Sequence, residues 1–67
     1  MVNVQVGDIK TGNILSNNNV QLEAAVDVAA TVCNVTVTAA VLSDQLSKTG
    51  SYYCQGATQF VKMTQSK

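Results

Sequence analysis

Between Asn19 and Leu42 the chain reads NVQLEAAVDVAATVCNVTVTAAVL, and apolar residues fall at every second position: Val20, Leu22, Ala24, Val26, Val28, Ala30 and Val32. Successive side chains of a strand point to opposite faces, so this spacing predicts one apolar sheet face. After Val32 the parity changes, and Cys33, Val35, Val37, Ala39 and Val41 are all odd-numbered. A one-residue slip moves an apolar set to the other face, which predicts a bulge, bend or tight turn between Ala29 and Asn34. The stretch is also too long for one strand, since strands usually run roughly 3–10 residues.

The flanks read as shorter pieces. Val2, Val4 and Val6 alternate with Asn3 and Gln5, which predicts an N-terminal strand ended by Gly7-Asp8. Thr11-Gly12-Asn13 is turn chemistry, and Ser16-Asn17-Asn18-Asn19 reads as the clearest loop of the chain. Ala39 to Ser47 supports either a short helical turn, with Lys48 near its end and Gly50 as cap, or a loop at Ser43-Asp44-Gln45; the helical turn is favoured. Ser51 to Cys54 returns the chain toward Cys33, Gln55-Gly56 turns it, and Thr58 to Thr64 predicts a last strand. In that strand Phe60 and Lys62 face one way, Val61 and Met63 the other. Gln65-Ser66-Lys67 is expected to fray. Asn-Val-polar-aliphatic recurs at Asn3, Asn19 and Asn34, which reads as either a weak repeat or a coincidence in a chain rich in Asn and Val. The expectation is a single domain over residues 1–67, all-β and mainly antiparallel. It would be a compact sandwich or barrel, or the β-rich subunit of a filament, with one helical turn near 39–47.

Composition sharpens this. A chain of 67 residues buries only about 60% of its unfolded surface and needs a staple or self-association. Cys33 and Cys54 form an even pair in a short chain, which predicts a disulfide and an oxidising compartment; two buried free thiols are the alternative. Four acidic and four basic residues leave no net charge, so no basic patch is available for nucleic acid and little repulsion keeps copies apart. No apolar run reaches the ~20 residues of a membrane span. Met1-Val2 opens without a charged or apolar leader, and the expectation is that a leader has been removed.

Candidate chemistry is thin. The chain has no His, so its many Ser and Thr lack the usual activating base, and the commonest metal ligand is missing. Glu23 and Asp27 would lie about 13 Å apart on a strand face, too far for one acid–base site. No catalytic, cofactor or metal-binding residues are assigned, and no enzyme is expected. Asn34-Val35-Thr36 is a formal N-glycosylation sequon in an expected strand, where its use is not expected. Tyr52 and Tyr53 should face opposite ways and are candidate contact residues.

Leu15-Ser16-Asn17-Asn18, Val20-Gln21, the alternating Val26 and Val28, Val32-Cys33-Asn34, Val35, Val37, Leu42 and the later Cys54 together resemble the chaplins, small secreted surface proteins of filamentous actinobacteria. The similarity covers Ile14 to Cys54; Ala stands where that family usually has Pro, His and Gly among its valines. The resemblance implies a secreted cell-surface protein with one intramolecular disulfide that forms amyloid-like fibrils at air–water interfaces. Uncharged, valine-rich windows such as Ala29–Val37 suit edge-to-edge pairing.

The resulting expectation is a secreted, non-enzymatic structural protein. It would assemble with itself into filaments or a surface layer, at an air–water or cell-wall surface. Val20, Leu22, Val26, Val28, Val32, Val35 and Val37 would be its assembly strands. The alternative is a disulfide-stapled β-domain that binds a ligand through Ser16–Asn19 or Gln45–Tyr53.

Overall fold

The computed structural model describes residues 1–65. Six elements follow one another: β1 (Val2–Asp8), β2 (Ile14–Val20), α1 (Leu22–Cys33), α2 (Ala39–Thr49), β3 (Ser51–Gln55) and β4 (Gln59–Gln65). The strands form one antiparallel sheet in the order β2-β1-β4-β3. Both helices cover one face of it. The expectation of antiparallel, sheet-rich structure therefore holds, but the all-β class does not: this is a two-layer α/β fold.

The core explains why. Val2 and Val4 of β1 and Val61 and Met63 of β4 bury one sheet face against Ala25, Ala29 and Cys33 of α1 and Leu42 and Leu46 of α2. Ala25, Ala29 and Cys33 recur every four residues, which is one helix stripe. Leu22, Val26, Val28 and Val32 flank that stripe, half-buried. The alternation read as a strand counted Ala24 and Ala30 as apolar-face residues, and both are exposed. The two most buried alanines lie on the other parity. Alanine is the best helix former, and its small side chain lets the helix approach the sheet closely. Packing thus overrides the β preference of the valines.

The predicted break near Asn34 is real, but it is a helix end. Asn34 takes a left-handed conformation (φ 56°, ψ 38°) and stops α1. Val35 and Val37 lie in the connection to α2, not in a strand. The helical turn expected near 39–47 is a full eleven-residue helix. Thr38 Oγ1 accepts from the Val41 amide (3.2 Å) at its start, and the Gly50 amide donates to Leu46 O (2.9 Å) at its end. Replacing Thr38 by Ala should lower stability by about 1 kcal/mol, with Thr38→Asn restoring it, as read by thermal unfolding. An equal melt for Thr38→Ala and the parent would show that this cap is idle.

The second correction is β2. Ser16–Asn19, expected as a loop, is the middle of a strand paired with Val2–Val6. Asn is a poor strand former, yet Asn3 Nδ2 donates to Oδ1 of both Asn17 (2.8 Å) and Asn19 (3.0 Å), giving the pair a side-chain ladder. The turn expected at Thr11-Gly12-Asn13 is present. Asp8 organises it: its amide donates to Asn13 O (2.8 Å), its carbonyl accepts from Gly12 N (2.7 Å), and its carboxylate accepts from Lys10 N (2.9 Å). β1 and β4 lie where alternation put them, and Gln65 pairs with Val2. Ser66 and Lys67 of the expected frayed tail lie outside the described residues. The three Asn-Val motifs fall in β1, at the β2–α1 junction and at the end of α1, so they do not mark a structural repeat.

Candidate functional site

Three features stand out: a disulfide corner, two sheet edges and an open sheet face. The predicted pairing of Cys33 with Cys54 is observed within the chain, across 21 residues, with Cα atoms 6.0 Å apart. It ties the last residue of α1 to the helix-facing side of β3. Gly56 lies directly beyond, against the carbonyl of Val32, where a Cβ would collide with main chain. Tyr52 packs on the core from the same strand side, while Tyr53 points to the opposite face and is 54% exposed. The two tyrosines thus face opposite ways, as alternation predicted.

The proposed assembly residues are not a strand set. Leu22, Val26, Val28 and Val32 belong to α1, Val35 and Val37 to the interhelix connection, and Val20 alone is in a strand, at the end of β2. The sheet edges are instead β2 and β3. Every residue of β2 except Val20 is exposed, Ile14 at 49% and Leu15 at 57%. Register shifts at Val6/Gly7, where Leu15 is the extra residue of a bulge. Neither ILSNNNV nor SYYCQ carries a charge or a proline.

The sheet face away from the helices is built in rows by the register: Asn19-Asn3-Thr64-Ser51, then Asn17-Gln5-Lys62-Tyr53, then Ile14-Gly7-Phe60-Gln55. Not one of these residues is acidic. Phe60 lies across the neighbouring strand: its ring tip occupies the space where a Cβ on Gly7 would stand. Tyr53 stacks beside it, ring centroids 5.9 Å apart and planes 25° apart. Gln55 Nε2 donates to the Tyr53 hydroxyl (2.9 Å) and holds that ring toward the Phe60 row. Sequence reading placed Phe60 and Lys62 on one face but missed that Tyr53, Gln55 and Gly7 join them. The signal was Gly7 itself, a glycine in an alternating strand, which often marks a close approach.

Elsewhere the carboxylates are spread out. Glu23 and Asp27 sit one turn apart on the exposed side of α1, and Asp44 pairs with Lys48 (3.1 Å) on the surface of α2. Among the described residues no group of three His, Cys, Asp or Glu could hold a metal ion, and no helix is long and apolar enough to cross a membrane. The sequon Asn34-Val35-Thr36 lies in the exposed connection after α1 rather than in a strand. No family model, curated protein or solved structure matches this chain.

Proposed function

We propose that this protein is a non-enzymatic, disulfide-stapled domain of an oxidising extracellular setting that assembles with itself edge to edge. The observation that carries this reading is the pair of unguarded edges, β2 and β3. Natural sheets usually blunt their edges with charges, prolines or cover, because an open row of N–H and C=O groups recruits another strand. Here neither edge strand carries a charge, and the chain as a whole has no net charge to hold copies apart. The Leu15 bulge twists one end of β2, leaving Ser16–Val20 as the regular segment.

The topology favours an open array. With four strands alternating in direction, a second copy displaced along the sheet sets its β3 antiparallel to β2 with the same face up. A head-to-tail contact of this kind repeats without closing and gives filaments of folded subunits. The disulfide supports the extracellular setting, since such bonds persist in oxidising compartments.

The test is size-exclusion chromatography and negative-stain electron microscopy of concentrated, non-reduced protein, beside a Leu15→Lys, Asn18→Lys variant. Both positions are exposed, so the fold should be kept. The parent should form filaments and the variant should stay monomeric, because lysine on an edge repels an incoming strand. A parent that remains monomeric when concentrated, or a variant that assembles as well as the parent, would sink this assignment. A closed dimer would replace the β2–β3 contact with β2 pairing to itself.

A further inference from the structure

We propose that the open sheet face is a binding platform for a neutral oligosaccharide or polysaccharide, centred on Phe60 and Tyr53. The face has the two properties such a ligand needs. Its rings are pre-arranged: the tip of the Phe60 ring lies over Gly7, Tyr53 stacks beside it with centroids 5.9 Å apart, and Gln55 pins the Tyr53 hydroxyl. Rings held this way offer area without a large loss of side-chain freedom on binding. The Gly7-Phe60-Gln55 row crosses three strands, about 10 Å at the usual strand spacing. Hydrocarbon faces of sugar rings can lie on such a floor.

Around the floor stand side chains that both donate and accept hydrogen bonds. Gln5 and Asn17 stand in the next row, and Asn3 lies in the row beyond. Amides match a ligand that presents many hydroxyls. Charge separates this occupant from the others. Lys62 is the one ionic residue in the three rows, and the chain is neutral overall. A single strand of nucleic acid would also stack on aromatic rings, but it needs a basic groove to track its phosphates, which this face lacks. A single lysine gives an acidic partner little to bind, and a basic partner finds no acidic residue here. The platform does not depend on edge pairing, since strand addition uses main-chain groups at the rim and leaves the face free.

The experiment is a nuclear magnetic resonance titration of the folded, non-reduced protein with cellotetraose, chitotetraose and mannotetraose, and with a short oligothymidine for comparison. At least one sugar should shift the amides of Gln5, Tyr53, Gln55, Phe60 and Lys62 and leave the helices unmoved, with no dependence on salt. Tyr53→Ala should weaken that binding by about tenfold or more. Gly7→Ala should do the same, because it leaves the surface chemistry alone but lifts the Phe60 ring from its seat. Lys62→Gln should leave binding nearly unchanged. Unchanged circular dichroism for each variant keeps a folding defect apart from a binding defect. The proposal is overturned by silence with all three sugars, by shifts confined to the helices, or by full binding in both Tyr53→Ala and Gly7→Ala. Preferential, salt-sensitive binding of oligothymidine would also overturn it. So would shifts on this face that grow with protein concentration alone, which would make a second copy the occupant.

Discussion

Reduction of the Cys33–Cys54 bond will lower the stability of the fold by about 3 kcal/mol, the chain-entropy value for a loop of this length. For a domain of 67 residues, whose whole stability should be roughly 3–10 kcal/mol, that is a large share. The midpoint of thermal unfolding should fall by on the order of 15 °C. The physical reason lies in the link itself. It joins the end of α1 to β3, so the helix layer and the far side of the sheet are constrained together even when the chain is unfolded. Thermal unfolding with and without a phosphine reductant measures the effect. A Cys33→Ala, Cys54→Ala double variant is the control, and it should be weak from the outset and blind to the reductant. If the reduced parent melts where the oxidised one does, the bond is ornamental and the small core alone sustains the fold.

Leu42→Ala should cost about as much, in the range of about 2–5 kcal/mol for a buried leucine cut back to its Cβ. Leu42 is fully buried and is among the largest side chains enclosed between α2 and the sheet. Its neighbour Val41 is 58% exposed. Val41→Ala should therefore change stability by less than about 0.5 kcal/mol, or raise it slightly through better helix propensity. Denaturant unfolding of the two variants under non-reducing conditions gives the comparison. The contrast between adjacent residues tests the docking of this segment on the core directly. Were the segment a loose loop, the two substitutions would not separate in this way.

That contrast also shows where the sequence was legible. Leu42 and Leu46 are spaced one helix turn apart ahead of Gly50, so the period and the C-terminal cap of α2 pointed to helix. The alternating valines of β1, the faces of β4, the turn at Gly12 and the cysteine pair were equally plain, because each rests on a local rule that packing did not oppose. The segment Leu22–Cys33 was not legible by the same means. Its apolar residues satisfy a period of two and a period of 3.6 at once, since alanine is counted as apolar whether it is buried or exposed. What decides between them is the tight fit of Ala25 and Ala29 against β4 and its neighbours, a property of the assembled core. The Asn run of β2 failed for the opposite reason. Its local preference is for a turn, and its strand form depends on β1 offering an edge and on Asn3 reaching across to it. The platform of Phe60 and Tyr53 depends on three strands in register, which no local window contains.

The central pairing of β1 with β4 has a consequence for how the molecule comes into being. Val2 lies opposite Gln65, so the middle of the sheet is made from the most distant parts of the chain. Local hairpins β1–β2 and β3–β4 can form early, but they can meet only after the intervening helices have been made. During synthesis the edge of β1 that β4 will fill must therefore wait, unpaired, until the helices and β3 have been made. The same closeness of the first and last strands means that a short linker could join them, with new ends opened in the exposed turn around Gly12. Such a permuted chain would make β4 and β1 a local hairpin, and β2 would become the strand that waits for its partner.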